Sequence, residues 1–349
     1  KKGEVLESGI LQKGAEGEGI LTTLSKGLQI KLAEAISETM SVHAFKGGAG
    51  IFLDPKTGEV LALVSMPDFD PNILEAGDKN LIKKLLADSS QPFFNRAISG
   101  LYPPGSIVKL ALAAGALNEG VIDPDKKILS TGSISLPNPY DAANPNVFPD
   151  WKPLGWVNMR EAIAQSSDVY FYEIGGGYQD QKGLGPWNIK KYLSMFGFAE
   201  RSGVDLPGEK EGHLPDPTEK QGGRDWTIGD TYNIAIGQGD MTITPIEAAV
   251  YVATVANLGN MPYPHLVHAR ADASGRPLET FSYPFKKQDI ISKEFLKIVH
   301  EGMRDAVIYG TAKGLGALPV QMAAKTGTAE IGDTAKVNSW TIGFFPYEN

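Results

Sequence analysis

Strand-like patterns lie near both ends of this chain of 349 residues, and a long, mainly helical region separates them. Apolar and β-branched residues alternate in GIFLDPKTGEVLALVSM near the start and in VQMAAKTGTA and VNSWTIGFFP near the end. Residues 74–310 are mostly helical by pattern, and we interpret the Asn-, Gly- and Pro-rich interruptions at 130–150 and 205–225 as loops. Strands at both ends with helices between them favour a sheet that is assembled from sequence-distant strands and covered by helices, which predicts an α/β (α+β) fold with a large all-helical subdomain.

The N-terminal segment is Gly-rich with short apolar bursts, and a helix follows it. Leu28, Leu32, Ile36 and Met40 recur every four residues and therefore share one helix face. We interpret the first forty residues as an approach to the sheet.

Composition narrows the class of protein. The chain is 42% hydrophobic and 21% charged, which is typical of a large globular domain. Its net charge of -8 disfavours a nucleic-acid partner, because such proteins usually present a basic face to the phosphates. The absence of cysteine excludes disulfides and thiol chemistry, and nowhere do eighteen apolar residues follow one another.

The tripeptide Lys-Thr-Gly occurs twice, at residues 56–58 and 325–327. The first copy follows Asp-Pro between two strand patterns, which predicts a solvated hairpin turn without chemistry. The second copy lies within a strand, where alternation places Lys325 and Gly327 on one face and Thr326 and Thr328 on the other. Glycine weakens a strand interior, so Gly327 needs a reason.

Ser106 and Lys109 form the first candidate constellation. They lie in YPPGSIVKLALAAGALNEG, where two prolines and a glycine precede an apolar helical run. Residues three apart share a helix face, so the Lys109 amine can reach the Ser106 hydroxyl and act as its base. The alternative is that Ser106 is only a helix N-cap.

Ser166, Ser167 and Asp168 form a second candidate constellation. They follow a helix whose start, Asn158 with Glu161, has the pattern of a capping box. A further hydroxyl and a carboxylate could move a proton to a leaving group, although Ser-Ser-Asp is also common at plain helix ends. If the second Lys-Thr-Gly strand lies beside Ser106, Lys325 points into the cleft, Gly327 leaves room for substrate, and the Thr326 and Thr328 hydroxyls can bind a carboxylate.

Three motifs in this order resemble the signature of penicillin-binding proteins and serine β-lactamases: Ser-x-x-Lys, Ser-x-Asp and Lys-Thr-Gly. Their separations, 60 residues from Ser106 to Ser166 and 159 from Ser166 to Lys325, resemble those of class B penicillin-binding proteins. The stretches NRAISGLYPPGSIVK, GVDLPGE, IAIGQGDMTITPIE and KTGTAE are similar to that family's, from about residue 20 onward. Asp168 and the preceding DWKPLGW are more similar to the elongation-associated branch than to the division-associated one.

The resemblance implies a penicillin-binding transpeptidase fold, with an antiparallel sheet of sequence-distant strands flanked by helices. It implies Ser106 as the acylated nucleophile, Lys109 as its base, Ser166 as a proton relay and Asp168 as the group that orients this network.

The same resemblance assigns the second Lys-Thr-Gly to substrate binding. Lys325, Thr326 and Thr328 are expected to hold the substrate carboxylate, with Gly327 between them. The oxyanion hole is expected to use the backbone N–H groups of Ser106 and Thr328.

The implied reaction is attack on a D-alanyl-D-alanine stem peptide, release of D-alanine, and transfer of the acyl group to an amine of a neighbouring strand. The expected inhibitors are β-lactams, and no cofactor or nucleic acid is expected. Implied partners are a separate glycosyltransferase and cell-elongation scaffold proteins, at the extracytoplasmic face of the cytoplasmic membrane. Alternatives are a serine β-lactamase, which needs a water-activating base, and a penicillin-sensing or non-catalytic receptor domain.

The family pattern also sets expected domain bounds. Residues 1–20 are expected to be a remnant of a junction with an N-terminal non-catalytic, membrane-anchored domain. Residues 21–349 are expected to form a transpeptidase domain without its last strand and C-terminal helix.

Other motifs have structural interpretations. His265 and His268 lack a third metal ligand at a usual spacing, so we predict no metal site there. Thr244 with Glu247 predicts a helix start, and the aromatic run from Tyr170 to Tyr172 predicts core packing.

Overall fold

The computed structural model describes residues 17–138, 141, 143–219, 223–330 and 336–348. The predicted junction at residues 1–20 therefore lies almost wholly outside the described residues. The helices are α1 Lys26–His43, α2 Asn72–Glu75, α3 Lys79–Leu86, α4 Arg96–Ser99, α5 Lys109–Asn118, α6 Met159–Gln165, α7 Asp168–Gly176, α8 Gly185–Met195, α9 Ile228–Ala235, α10 Pro245–Ala256 and α11 Lys293–Ile308, with 3-10 helices at Gly105–Val108 and Lys313–Ala317. In the described part of the chain, no helix combines the length and apolar character needed to cross a bilayer.

The strands group into small antiparallel sheets. They are β1 Gly19–Thr22, β2 Gly48–Leu53, β3 Val60–Met66, β4 Ile128–Ser130, β5 Ser133–Leu136, β6 Asn146–Pro149, β7 Gly155–Val157, β8 Val267–Ala271, β9 Pro277–Thr280, β10 Ala323–Glu330 and β11 Val337–Phe344. The three-stranded sheet has the order β1-β8-β9, and β1 pairs with β8 through contacts such as Ile20 with Arg270. This pairing of sequence-distant strands confirms the predicted type of sheet.

Two hairpins account for the strand patterns at the chain ends. Strands β2 and β3 pair antiparallel, and so do β10 and β11, where Lys325 is opposite Ile342. A parallel bridge between Glu59 and His265 links the turn after β2 to the start of β8. The predicted turn and both terminal strands are thereby confirmed.

Helix α1 covers the β2–β3 hairpin, as the spacing of its apolar residues predicts. Its Leu32, Ile36 and Met40 side chains lie against Gly48 and Gly50 of β2, where an added Cβ would be 2.7 Å from Ile36 and 2.8 Å from Leu32. The two glycines therefore let the helix approach the sheet closely.

The interpretation of residues 130–150 as loops is wrong. Strand β4 pairs with β7, Ser130 opposite Gly155, and β5 pairs with β6, Ser133 opposite Pro149. Each of these strands has only three or four residues, which is too short for alternation to be read from the sequence. The helical region therefore includes two small two-stranded sheets.

Helix α5 is the centre of the hydrophobic core. Every residue from Lys109 to Leu117 is buried, and Gly115 lies so close to the Tyr192 ring of α8 that an added Cβ would be 2.6 Å from it. Tyr170 and Phe171 are buried in the same cluster and Tyr172 in a neighbouring one, so the aromatic run is core packing, as predicted. A helix that is apolar on all sides must be enclosed by other elements, and here that enclosure holds the residues at its N-terminus in place.

Helix starts agree with their sequence signals. Both capping boxes are present, Asn158 with Glu161 before α6 and Thr244 with Glu247 before α10. The Glu247 carboxylate also accepts hydrogen bonds from the backbone N–H groups of Glu200 and Gly212, at 3.3 and 3.0 Å. It therefore ties three loops together, and burial raises its pKa.

Candidate active site

Ser106 lies on the 3-10 turn that precedes α5. The residue is partly buried, and its hydroxyl makes no hydrogen bond within the described residues. Gly105 has φ +56°, and an added Cβ there would be 2.6 Å from the Thr328 carbonyl oxygen of β10. The turn thus needs glycine for two reasons, conformation and close approach, and it places Ser106 beside β10.

The Lys109 side chain is completely buried and points to the second motif. Its Nζ donates to Asp168 Oδ1 at 2.6 Å, to the Ser166 carbonyl oxygen at 2.8 Å and to Ser166 Oγ at 3.3 Å. The Phe171 ring centroid lies 5.4 Å from the same atom. The sequence predicts that this amine reaches the Ser106 hydroxyl, whereas these hydrogen bonds go to Ser166 and Asp168.

Ser166 ends α6 in a left-handed conformation, with φ 57°. Its Oγ lies 3.3 Å from Lys109 Nζ and 2.8 Å from Lys325 Nζ, so one buried hydroxyl bridges the two lysines. A hydroxyl that accepts two hydrogen bonds keeps its own proton available for a third group. The unusual backbone conformation is compatible with a functional position.

Lys325 lies on β10 and is completely buried. Its Nζ donates to Ser166 Oγ and to the Thr326 carbonyl oxygen at 2.7 Å. Burial lowers the pKa of Lys325 well below its ordinary value, and the nearby charge of Lys109 lowers it further, while the Asp168 carboxylate opposes the change. A lysine in this environment tends to lose its proton more easily than one in water.

Strand β10 separates its side chains as alternation predicts, with Lys325 and Gly327 buried, Thr326 partly buried and Thr328 exposed. The Thr326 hydroxyl donates to Thr311 Oγ1 at 2.7 Å. An added Cβ on Gly327 would be 2.9 Å from Ile107 Cγ2 and 3.0 Å from the Pro104 carbonyl oxygen. The expectation that Gly327 leaves room for substrate is therefore corrected, because the space beside it is filled by the Ser106 turn.

Asp150 was not singled out by the sequence analysis, although it lies in DWKPLGW. Its Oδ2 accepts hydrogen bonds from Ser130 Oγ at 3.0 Å, Ser167 Oγ at 2.8 Å and the Val169 backbone N–H at 3.1 Å. Its Oδ1 accepts one from the Trp151 backbone N–H. The nearly buried carboxylate thus fixes the turn that carries Ser166 and Asp168.

Two further contacts on the Ser106 turn were also missed. Trp340 of β11 donates its indole N–H to the Pro103 carbonyl oxygen at 2.9 Å, and the Gly237 carbonyl oxygen accepts from the Gly105 N–H at 2.9 Å. An added Cβ on Gly237 would be 2.1 Å from the Gly105 carbonyl oxygen. The stretch IGQGD therefore supports the Ser106 turn directly.

The two histidines considered for a metal have other contacts. The His265 ring stacks on Tyr283 at 3.7 Å between centroids, and His268 Nδ1 lies 3.3 Å from Glu59 Oε1. The described residues hold no group of three His, Cys, Asp or Glu side chains placed to ligate a metal.

The site combines an accessible hydroxyl with two buried lysines, a bridging hydroxyl and a carboxylate. The residues come from three stretches that are far apart in sequence, Ser106 and Lys109, Ser166 and Asp168, and Lys325. Such a set can activate a serine and pass its proton onward, which is the chemistry of acyl transfer through a covalent intermediate.

Comparison with known sequences gives consistent matches. The family model described as "Penicillin binding protein transpeptidase domain" matches residues 48–349. "Peptidoglycan D,D-transpeptidase MrdA" of Acinetobacter baumannii is 36% identical over 92% of this chain and 46% of the relative, and that of Haemophilus influenzae is 30% identical over 100% and 54%. The chain spans about half the length of these curated relatives.

Solved structures give similar matches. A peptidoglycan synthase complex, described as coordinating polymerization and crosslinking, has a TM-score of 0.82 at 31% identity, over 99% of this chain and 59% of the other. Penicillin-binding protein A of Mycobacterium tuberculosis, as an imipenem acyl-enzyme, has a TM-score of 0.79 at 27% identity. The match covers 95% of this chain and 72% of the other. Penicillin-Binding Protein PBP2 of Helicobacter pylori, in complex with MreC, has a TM-score of 0.76 at 29% identity, over 94% and 58%.

Proposed function

The chain belongs to the penicillin-binding protein transpeptidase family, and on that premise we propose that it is a peptidoglycan D,D-transpeptidase that acts through an acyl-enzyme on Ser106. The predicted class B membership, the relation to the elongation-associated branch and the predicted fold are confirmed. The cross-linking reaction of this chain and the roles of its site residues are our proposal.

One observation carries the proposal: the Ser166 hydroxyl bridges two completely buried lysines within reach of the Ser106 turn. Two ammonium groups in so small a buried volume repel each other and are costly to desolvate. Burial and the charge of Lys109 lower the pKa of Lys325, and the paired amines form the basic group that a serine nucleophile needs.

In the first step, Lys109 takes the proton of Ser106 while Ser106 Oγ bonds to the carbonyl carbon of the penultimate D-alanine. The tetrahedral oxyanion is held by the backbone N–H groups of Ser106 and Thr328. The proton then passes from Lys109 through Ser166 to the leaving nitrogen, the peptide bond breaks, and D-alanine departs. Asp168 keeps the Lys109 side chain aimed at Ser166, through their 2.6 Å contact.

The substrate carboxylate is assigned to the exposed side of β10. Thr328 is exposed there and Thr326 lies on the same face, while Lys325 lies on the buried face and donates to the Thr326 carbonyl oxygen. Gly327 contributes by letting the strand lie against the Ser106 turn rather than by contact with substrate.

In the second step, an amine of a neighbouring stem peptide attacks the acyl carbon. Its proton returns through the same relay to Ser106 Oγ, and the ester bond breaks as the new peptide bond forms. A β-lactam follows only the first step, because the opened ring stays attached and blocks the amine. We propose that β-lactams acylate Ser106 in this way.

We also propose partner proteins and a cellular location for this chain. The Helicobacter pylori PBP2 structure contains MreC, and the synthase complex combines polymerization with crosslinking. By analogy we assign this chain a separate glycosyltransferase and cell-elongation scaffold proteins as partners. Its place is the extracytoplasmic face of the cytoplasmic membrane, where its peptidoglycan substrate is assembled.

The decisive experiment is intact-mass analysis after mixing the protein with benzylpenicillin, followed over hours. Wild type is expected to gain one stable adduct. Ser106→Ala is expected to gain none, and Ser99→Ala, whose hydroxyl donates to the Gly208 carbonyl oxygen, is expected to behave as wild type.

Other outcomes separate the alternatives. A transient adduct with hydrolysed drug would indicate a β-lactamase, and no adduct on folded wild type would contradict the proposal. Acyl transfer from a thioester donor to a D-amino acid would then distinguish the transpeptidase from a penicillin sensor.

A further inference from the structure

Tyr251 belongs to none of the three motifs. Its side chain contacts the start of α5, the helix that follows the Ser106 turn. It lies on α10 and is completely buried. Its hydroxyl accepts a hydrogen bond from the Ala111 backbone N–H at 2.8 Å and donates one to the Ile107 carbonyl oxygen at 3.0 Å.

These two backbone groups are the pair that a regular α-helix joins directly. The carbonyl of residue i and the N–H of residue i+4 bond to each other in such a helix. Here the Tyr251 hydroxyl stands between Ile107 and Ala111, and α5 begins only at Lys109, after the 3-10 helix Gly105–Val108. A side chain inserted into the helical hydrogen bonds is a known cause of a local change in helix geometry.

The 3-10 form of this turn affects how Ser106 lies relative to Lys109. In a 3-10 helix, residues i and i+3 eclipse each other, whereas in an α-helix they are offset around the axis. The Lys109 backbone N–H donates to the Ser106 carbonyl oxygen, which is the i to i+3 bond of this geometry. The turn therefore aligns the serine directly with the lysine.

A tyrosine hydroxyl suits this position because it both donates and accepts. Burying a hydroxyl without partners is costly, and here both backbone groups satisfy it. Burial raises the pKa of Tyr251, so the hydroxyl stays protonated and keeps its donor. The ring packs edge-to-face on Phe196 and Phe198, at 5.6 and 4.9 Å between centroids.

We propose that Tyr251 is a positioning residue that holds the Ser106 turn in its 3-10 form by occupying the hydrogen bond between Ile107 and Ala111. The inference rests on the proposed function, since it concerns how the nucleophile is presented. The Tyr251 hydroxyl then serves acylation and its ring serves packing. Tyr251→Phe separates these two roles, because it removes the hydroxyl and keeps the ring.

The test is Tyr251→Phe. Stopped-flow and intact-mass measurements would resolve the binding of benzylpenicillin from the acylation step that follows it. The phenyl ring keeps its packing, while Ile107 and Ala111 become free to bond directly and relax the turn toward an α-helix. We expect the acylation rate constant to fall about 10-fold to 100-fold, since small misplacements of a reacting group have effects of this size. The dissociation constant of the initial non-covalent complex is expected to stay unchanged, as is the melting temperature.

The matched control is Tyr192→Phe. Tyr192 is equally buried, and its hydroxyl bonds to Asn118 and Glu119 at the far end of the same helix, both at 2.7 Å. That variant is expected to acylate at the wild-type rate. A crystal structure of Tyr251→Phe is expected to show a direct bond between Ala111 N–H and the Ile107 carbonyl oxygen, with Ser106 displaced.

Three outcomes would overturn the inference. They are acylation of Tyr251→Phe at the wild-type rate, an equal loss of rate in Tyr192→Phe, and failure of Tyr251→Phe to fold, which would make the hydroxyl a stability element. If wild type itself forms no adduct, the proposed function fails first, so the two failures are distinguishable.

Discussion

The same tripeptide, Lys-Thr-Gly, occupies two very different environments in this molecule. In the first copy Lys56 is exposed on a turn, and its backbone N–H donates to the Asp54 carboxylate at 2.8 Å. In the second copy Lys325 is completely buried and touches Ser166. The comparison shows that the chemistry of a lysine depends on desolvation and neighbouring charge, which the tripeptide itself does not encode.

Glycine is required in both copies, but for different neighbours. Gly58 has φ +83°, and an added Cβ would be 2.1 Å from the Tyr263 carbonyl oxygen. Gly327 faces Pro104 and Ile107 of the Ser106 turn instead. Close approach of backbone therefore supports a hairpin at one copy and the candidate nucleophile at the other.

The largest difference between the two copies is expected from removing the lysine charge. Lys325→Met is expected to reduce the rate of benzylpenicillin acylation about 100-fold to 10,000-fold, because Ser166, the proposed proton relay, loses the lysine that orients its hydroxyl, and proton-transfer groups have effects of this size. Lys56→Met is the control and is expected to acylate at the wild-type rate. The comparison would break down if both variants reacted alike in stopped-flow and intact-mass measurements.

Replacing each glycine by alanine is expected to separate stability from activity. Gly58→Ala must adopt a left-handed backbone and displace Tyr263, so we expect a loss of about 2 to 4 kcal/mol in the free energy of unfolding. Gly327→Ala is expected to displace the Ser106 turn and slow acylation about 10-fold.

Urea unfolding and acylation per folded molecule would measure both glycine effects. A normal acylation rate in Gly327→Ala would show that the turn tolerates the extra atom. Slow acylation in folded Gly58→Ala would show that the two hairpins are coupled.

The smallest expected difference is a pH dependence of stability. Because the folded state lowers the pKa of Lys325, the unfolded chain binds this proton more readily at every pH below the ordinary lysine pKa of about 10.4. Wild-type stability should therefore rise with pH, on this account, from the lowered pKa up to about 10.4. Lys325→Met is expected to melt about 1–3 °C higher than wild type at pH 7, and the gain should shrink toward pH 10.

Calorimetry across that pH range would check the gain, with Lys56→Met as the exposed control. A gain that is constant with pH would mean that the desolvated charge is not its cause.

Local signals in the sequence were sufficient for much of the fold. The four-residue spacing in α1, the capping boxes before α6 and α10, and the turn chemistry around Gly58 each depend on neighbours within a few positions. The strands between Ile128 and Val157 were missed because each is too short to show alternation. Their partners are set by contacts rather than by pattern.

The candidate site was likewise predictable only in part. The order and spacing of the three motifs are visible in the sequence. They were sufficient to name Ser106, Lys109, Ser166, Asp168 and Lys325. Asp150, Gly237, Trp340 and Tyr251 could not be named, since each acts through a hydrogen bond to a segment that is distant in sequence. A single carbonyl or hydroxyl contact of this kind has no local pattern.

The sequence by itself determined which residues are available for chemistry and which of the longer segments become helices and strands, because propensity, capping and alternation are local. Only the tertiary structure decided that Lys109 points to Ser166 and Asp168 and that Lys325 is buried away from water. It also decided that Gly327 packs against the Ser106 turn rather than leaving room for substrate. The physical reason is that burial, charge repulsion and close packing depend on atoms that lie far apart in the chain and meet only when it folds.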